Sequence, residues 1–303
     1  MTGAIAEPLR RLVPFRDHTA RLLRSATLKA LIGAHIIAAL IILVRSYGWL
    51  QPFELLVYDA LRVSWAGHEP SSRIFLVGGN EDDITDFDWP LRDGELADLL
   101  ERIASWKARA IGVDIYRDRP KPPGTERLAA VLARHKEIVW TFKLQEGSQR
   151  AILPPEVVRG TDRAVLADFV PDPGNVMRRA LLYAGDENYT ALGMELALRY
   201  LAADQIRPGP AEGDDIRLGK ALLAPLDDTR GPYTRLDSAG YQMLLDYHGG
   251  LNPFPVKSIG EIMRSDEAAP LVRGRVVIVG IMSESVKIPS RARSIPASTA
   301  KIR

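Results

Sequence analysis

The segment Arg73-Ile-Phe-Leu-Val-Gly-Gly79 is a short apolar run that ends in glycines, which is typical of a buried strand. A helix follows it, because Asp93 is a good N-cap and the apolar residues from Leu96 to Trp106 recur at i, i+3, i+4, i+7 spacing. A second apolar run covers Ala110–Tyr116. This alternation of strand and helix is the first indication of the fold.

The alternation continues downstream. A helix through Leu128 and Leu132 leads to a third predicted strand, Glu137–Leu144. Strands separated by single helices need crossover connections, and such connections build a parallel sheet. The sequence therefore predicts the α/β class, with a mixed, largely parallel sheet, flanking helices and one transmembrane helix in front of it.

The second half of the chain predicts a mixture of strands, turns and short helices. A last strand, Arg275–Gly280, is short and apolar after its first residue, so we expect it to be central and parallel. The other elements expected here are strands Ala164–Val170 and Met177–Ala184 flanking the turn Pro171–Asn175, a helix Tyr189–Leu201, a hairpin Ile216–Pro225, a strand Tyr241–Tyr247 and a helix opened by the capping box Ser258–Glu261.

One apolar segment, Ala30–Val44, lies between a basic arm and the globular sequence, and His35 is its only polar side chain. A bilayer span needs about 20 residues, which the segment reaches when it is extended back to Ser25 and the amine of Lys29 turns toward the headgroups. A buried core helix and a cleaved signal peptide are the alternatives. We predict a single transmembrane helix over residues 25–46.

Charge around this helix predicts its orientation. Six basic residues precede the apolar segment Ala30–Val44, whereas Arg45 alone follows it closely, and the positive-inside rule then places the N-terminus in the cytoplasm. Tyr47 and Trp49 lie where an interfacial aromatic belt is expected, and the chain has no cysteine. We therefore expect an inner (plasma) membrane protein whose main domain is periplasmic or extracellular.

Composition divides the chain further. A basic arm (1–24) and a basic tail (287–303) flank the expected domain (50–286), and the tail is interpreted as disordered or aberrant. Residues 30–286 carry 29 basic and 36 acidic residues, a net charge of −7. An acidic surface excludes a typical nucleic-acid binder, and the basic arm suits the anionic lipid of the bilayer.

The sequence lacks the common catalytic and cofactor motifs. It has no glycine-rich phosphate loop, no nucleophile elbow around Ser283 or Ser285, and no histidine or cysteine cluster, so we expect no cofactor and no metal. The acidic run Glu81–Asp88 could hold a hard cation, but its spacing is not that of an EF-hand and a solvated loop is the simpler interpretation.

Candidate ligand-binding residues follow the predicted strands. Asp114 ends the second strand, with Tyr116 and Asp118 on the loop after it, and ligands of open parallel sheets bind beyond the carboxyl ends of strands. Trp89 and Asp93 follow the first strand and could face the same crevice. The alternative is structural: aspartates that satisfy loop amides, a core tryptophan and a helix cap.

Several segments, in this order and spacing, resemble the type 2 CHASE domain over roughly residues 53–286. They are Asp59–Arg62, Ile74–Gly78, Trp89–Asp93, Ala110–Asp118, Ala167-Asp168, Asp172 with Arg178-Arg179, Tyr247–Gly249 and Gly274–Gly280. Asp168 and Arg178, which lie in these segments, join the candidate ligand-binding residues. The family's ligand is generally unknown, so the resemblance itself assigns no binding residue.

The resemblance implies an extracytoplasmic sensor, the input of bacterial receptors that carry adenylate cyclase, histidine kinase or serine/threonine kinase outputs. Family members usually continue after the domain with an Asp, a Phe and a Thr-Pro, then three membrane helices. Here residues 288–303 differ from that pattern and show no hydrophobic periodicity. We hypothesise that the tail is a frameshift product and that the chain is a truncated receptor without its output half.

The leading functional hypothesis is a non-enzymatic, membrane-anchored sensory domain that binds an unknown small-molecule or ionic ligand. Its partners would be the bilayer, and a second copy of the chain or a full-length receptor. Two alternatives remain open: an exported hydrolase-like enzyme that uses Asp114 or Asp118, and a dimerisation module that binds no ligand.

Overall fold

The computed structural model describes residues 13–65, 69, 71–87, 89–145, 148, 150–184, 189–234, 236–247, 254–283 and 285–286. The tail 287–303, the first half of the basic arm, Asp88 and the pair His248-Gly249 lie outside the described residues. The chain divides into two compact units, Met1–Asp59 with Asp228–Leu236, and Ala60–Asp227 with Asp237–Arg303.

Two helices begin in the first unit, α1 (Val13–Ser46) and α2 (Gln51–Trp65). Within α1, the stretch Ser25–Ser46 has 22 residues, a mean hydropathy of 2.3 over its most apolar window and no buried share. Among the described residues, α1 is the one helix long and apolar enough to cross a membrane. It begins well before the predicted span, so the second half of the basic arm continues the same helix.

The second unit holds the sheets and the remaining helices. Its helices are α3 (Glu81–Asp86), α4 (Asp93–Ser105), α5 (Thr125–Arg134), α6 (Leu192–Ala202), α7 (Ile259–Arg264) and α8 (Ala269–Val272), with a 3₁₀ turn at Glu156–Val158. The strands are β1 (Ile74–Gly79), β2 (Ala110–Val113), β3 (Ile138–Phe142), β4 (Ala164–Leu166), β5 (Arg179–Ala184), β6 (Tyr189–Thr190), β7 (Pro208–Gly209), β8 (Ile216–Leu218), β9 (Ala221–Leu223), β10 (Tyr241–Leu244), β11 (Val256–Ser258) and β12 (Val276–Ile281).

Six strands form one parallel sheet in the order β11-β1-β12-β2-β3-β4. The last strand of the chain lies between two of the first, with Ile278 opposite both Leu76 of β1 and Gly112 of β2. The prediction of a parallel α/β sheet with a central final strand is therefore confirmed. Two small antiparallel sheets, β10-β5-β6 and β7-β8-β9, complete the unit, and the second contains the predicted hairpin β8–β9.

Helices cover both faces of the parallel sheet, because successive side chains of a strand point to opposite faces. Ile111 and Val113 of β2 join the larger core cluster with the apolar side of α4, whereas Ala110 of β2 packs with Leu196 of α6 in a smaller cluster. Trp140, the largest fully buried side chain, belongs to the larger cluster. This two-sided burial explains the apolar runs that predicted the strands.

Several predicted boundaries were wrong. The second strand, predicted to end at Asp114, ends one residue earlier, at Val113. Beyond it, the Ile115 carbonyl accepts a hydrogen bond from Trp140 Nε1 at 2.9 Å. The helix predicted from Tyr189 begins at Leu192, because Tyr189 and Thr190 pair with β5.

The two strands predicted around the turn Pro171–Asn175 do not form one hairpin. β4 ends at Leu166 as an edge of the parallel sheet, and β5 begins at Arg179 in an antiparallel sheet. A bridge between Asp172 and Val176 closes the turn locally, with the Asp172 amide 2.9 Å from the Val176 carbonyl oxygen. The turn was predicted correctly, but its flanking residues belong to different sheets.

The acidic run is not a solvated loop. Residues Glu81–Asp86 form α3, capped by Asn80, whose side chain accepts from the amide of Asp83 at 2.9 Å. Asp83 is buried, and its carboxylate accepts the amides of Ile259 and Gly260 at 2.9 and 2.7 Å. The carboxylate thereby satisfies donors that open α7, which explains why this charge lies inside the protein.

Candidate functional site

The carboxyl ends of β2 and β4 bring three of the predicted site residues to the same edge of the sheet. Asp114 and Tyr116 follow β2, and Asp168 follows β4. Burial is the main cause that raises the pKa of Tyr116 to about 12, and the negative charges of Asp168 and then Asp114 raise it further. We call these three residues, which the strand order brings to the carboxyl edge of the same parallel sheet, the edge cluster.

Asp114 lies at this edge of the sheet, directly after β2. Its side chain is exposed by surface area, yet the protein around it desolvates the carboxylate and raises its pKa, opposed by a hydrogen bond from Thr141. Its backbone is fixed, because the Asp114 amide donates to the Val279 carbonyl at 2.8 Å.

Thr141 is a member of the site that the sequence analysis missed. It lies on β3, is fully buried, and its hydroxyl is 3.1 Å from the Val113 carbonyl oxygen. A threonine inside an apolar strand gives no distinctive pattern, since β-branched residues are common in strands. That Thr141 lies next to Asp114 follows only from the order of the strands, in which β3 pairs with β2.

Asp93 and Trp89 are placed differently. Asp93 is buried at the start of α4, where Arg92 and not Asp93 is the N-cap, so the predicted capping role is wrong. Its carboxylate accepts from Arg117 Nη1 at 2.8 Å, from the Lys121 amide at 2.9 Å and from the Thr125 hydroxyl at 2.7 Å. Asp93 thus joins three segments of the protein.

Trp89 is half-buried and packs against the larger core cluster. Its amide donates to the Ile84 carbonyl at 3.2 Å, and this hydrogen bond joins Trp89 to α3. Asp118 is exposed, and its carboxylate is 4.0 Å from Arg119. The contacts described for these two residues give them no part in the edge cluster.

Arg178 is buried in a charged network of the second half. Its Nη1 donates to Asp172 at 3.0 Å, and Arg179 Nε donates to the other oxygen of the same carboxylate at 2.9 Å. Arg179 also donates to Gln242 at 2.6 Å. The network ties the turn after β4 to β10 and β5, and the structure places Arg178 there as a partner of Asp172.

A second polar group lies at the same edge, at the ends of β1 and β12. Ser283 and Ser285 both donate to the carboxylate of Glu81, and the amide of Ser285 is 3.0 Å from its Oε1. In the sequence, both serines were considered only as nucleophiles, without a connection to Glu81. The signal that could have found the group is position, because each residue follows the end of a neighbouring strand.

No group of three or more histidine, cysteine, aspartate or glutamate side chains that could hold an ion occurs within the described residues. What the edge cluster offers instead is two carboxylates and a phenol, that is, acceptors for hydrogen bonds and negative charge for a cationic group.

Comparison with known proteins identifies the family. The model of the CHASE2 domain matches residues 36–299, which is most of the chain. No curated protein and no solved structure matches it. CHASE2 domains are extracytoplasmic sensory domains. On this match, together with the parallel α/β sheet predicted from the same segments, the chain belongs to the CHASE2 family.

Proposed function

We propose that this protein is a membrane-anchored sensory input domain that binds a small ligand at the edge cluster, outside the cytoplasm, without catalysis. Membership of a sensory family supports the sensing role. The apolar helix Ser25–Ser46 supports the anchor, and the excess of basic residues before it supports a cytoplasmic N-terminus.

The observation that carries the binding site is the convergence of Asp114, Tyr116 and Asp168 at the carboxyl edge of the parallel sheet. This edge is where open α/β sheets bind ligands. The raised pKa of Asp114 adds support, since perturbed carboxyl groups concentrate at functional sites. Asp93 and Arg178 serve structural partners.

The chemistry of the edge cluster favours a ligand with a cationic or hydrogen-bond-donating group. Asp114 and Asp168 attract positive charge, and the phenol of Tyr116 can stack on or donate to a bound molecule. A protonated amine or a metal ion with its own water shell fits this description.

The test uses the full chain in lipid nanodiscs, with thermal unfolding measured against Mg²⁺, Ca²⁺, spermidine and free amino acids. We expect at least one probe to raise the unfolding temperature of the wild type, because a ligand of the native state stabilises it by mass action. Asp114→Asn should abolish the shift. Asp118→Asn, an exposed aspartate of the same loop, is the matched control and should retain it.

Binding of a cationic probe should also depend on pH in a defined direction. The pKa of Asp114 lies above its ordinary value, so binding should strengthen as pH rises from about 4 through the raised pKa, where the carboxylate forms. Equal shifts of the unfolding temperature in the wild type and in Asp114→Asn would show that the probe does not bind at the edge cluster. Absence of any shift across the panel would contradict this ligand class.

A further inference from the structure

One side of α2 is apolar and exposed. Phe53, Leu56 and Val57 are 67, 64 and 57% exposed, and their i, i+3, i+4 spacing puts them on one side of the helix. We call these three residues the α2 apolar face. Trp49, just before the helix, is 72% exposed. An exposed cluster of large apolar side chains of this kind usually marks an interaction site.

The other side of the same helix is occupied by its own unit. Leu55 is buried, Glu54 pairs with Arg45 Nε at 2.8 Å, and Gln51 Oε1 accepts the Thr234 amide at 2.8 Å. These positions are one turn apart on the side opposite the α2 apolar face. The rotation of α2 about its axis is therefore fixed by protein contacts, and the apolar side is held outward.

The junction between α1 and α2 is a defined bend. Gly48 has φ +79°, its amide donates to Arg45, and the Trp49 amide donates to Val44, the two hydrogen bonds of a Schellman motif. In an unbroken helix, residues nine apart lie about 13.5 Å along the axis and on opposite sides. The Arg45–Glu54 pair therefore needs the bend, so α2 leaves the axis of α1.

We propose that the α2 apolar face lies in the membrane–water interface and contacts lipid. This inference rests on the proposed anchoring by α1. Four residues separate α1 from α2, so the first turns of α2 begin next to the end of the span, and the headgroup layer there is only about 5–8 Å thick.

Composition agrees with a lipid contact. The α2 apolar face has no charge, and Tyr47 and Trp49, whose rings lie 6.3 Å apart, precede it with the amphipathic aromatic side chains that favour the headgroup level. Helices of this kind bury their apolar side about 5–10 Å into the headgroup and acyl boundary. Glu54, the charged residue of the first two turns, pairs instead with Arg45 of the protein.

A second copy of the chain fits this surface less well. A stable dimer buries about 800 Å² on each partner, and three side chains on little more than one turn of a helix supply a few hundred at most. Contact with a bilayer requires no minimum buried area. The anchor already holds α2 at the interface, and each side chain that is buried in lipid adds its own transfer free energy.

The absence of cysteine allows a direct test on the full chain. Single cysteines at Phe53, Leu56 and Val57 carry a nitroxide label in vesicles of phosphatidylethanolamine and phosphatidylglycerol. Relaxation by oxygen and by a water-soluble nickel chelate measures the depth of each label. Ile37→Cys in α1 is the bilayer reference, and Ser105→Cys, an exposed residue of α4, is the aqueous reference.

We expect labels on the α2 apolar face to be shielded from nickel and accessible to oxygen, at depths between those of the two references. If the labels on the α2 apolar face were as accessible to nickel as the label at Ser105, the proposal would be overturned. A deep label at Ile37 in the same experiment would show that the anchor itself is correct. Spin–spin coupling with shielding from both reagents would overturn it in favour of a second copy. An aqueous Ile37 label would overturn the anchoring itself.

Discussion

At the scale of single residues, Asp93 was predicted as a ligand-binding residue, and the structure shows that its carboxylate instead forms a buried ion pair. The side chains of Asp93 and Arg117 are 1 and 7% exposed, and their charges meet at 2.8 Å. Burial lowers the pKa of Arg117, and the carboxylate opposes that shift. The pair joins the start of α4 to the loop after β2, the loop that also carries Tyr116 of the edge cluster.

Replacing Asp93 by Asn should destabilise the protein by about 3 kcal/mol or more, because it leaves the buried Arg117 charge without a counter-ion. Denaturant unfolding of the full chain in nanodiscs, followed by tryptophan fluorescence, measures the change. Asp98→Asn on the same helix is the control, since its pair with Arg127 is exposed and should cost at most about 1 kcal/mol. Equal losses in both variants would contradict the structural role of Asp93.

At the scale of elements, the connection into α5 depends on one glycine. Gly124 is the N-cap of α5 with φ +103°, and a Cβ there would lie 2.3 Å from the backbone of Gly94 in α4. The two helices approach through this pair of glycines, and the Gly94 amide donates to the Pro123 carbonyl at 2.9 Å. A side chain at position 124 would force the two backbones apart.

Gly124→Ala should therefore cost more than the roughly 1–2 kcal/mol that a positive φ alone costs an alanine. Gly160→Ala separates the two causes, because Gly160 also has a positive φ, +68°, but nothing within 4 Å of its Cβ position. The free energies of unfolding of the two variants, measured side by side, give the contribution of the close approach. A loss at Gly124 no larger than that at Gly160 would contradict it.

Local patterns predicted several elements, whereas contacts between distant residues could not be predicted. The capping box of α7 was confirmed, with the Ser258 hydroxyl accepting the Glu261 amide at 3.1 Å, because both partners lie within one turn. Helix α3 was missed although it too begins with a capping box, Asn80 with Asp83, because its run of acidic residues resembles a solvated loop. The burial of Asp83 depends on Ile259 and Gly260, 176 and 177 positions away, and no local pattern shows it. The same limit applies to the site: Asp114 was found at a strand end, whereas Thr141 needed the sheet order.

At the scale of the whole domain, strand order differs from chain order in one decisive place. β12, the last strand in the sequence, lies between β1 and β2. It pairs with β1 along six residues and with β2 along four. Its apolar run predicted burial and a central position, but not which strands it would separate. The edge cluster lies at the carboxyl end of this arrangement, so the position of Asp114 depends on β12, whose Val279 carbonyl accepts its amide.

Native-state hydrogen exchange should report this arrangement. Amides of Val277 and Val279 lie in a strand paired on both sides and buried in the core, so they should exchange only through global unfolding and be among the slowest in the protein. The edge strand β11 pairs with β1 alone and should exchange faster, and the exposed hairpin β8–β9 faster still. Mass spectrometry of the full chain in nanodiscs resolves these peptides. If β12 exchanged as fast as the hairpin, the sheet would not be held together by its last strand, and the backbone that positions Asp114 would open without unfolding the domain.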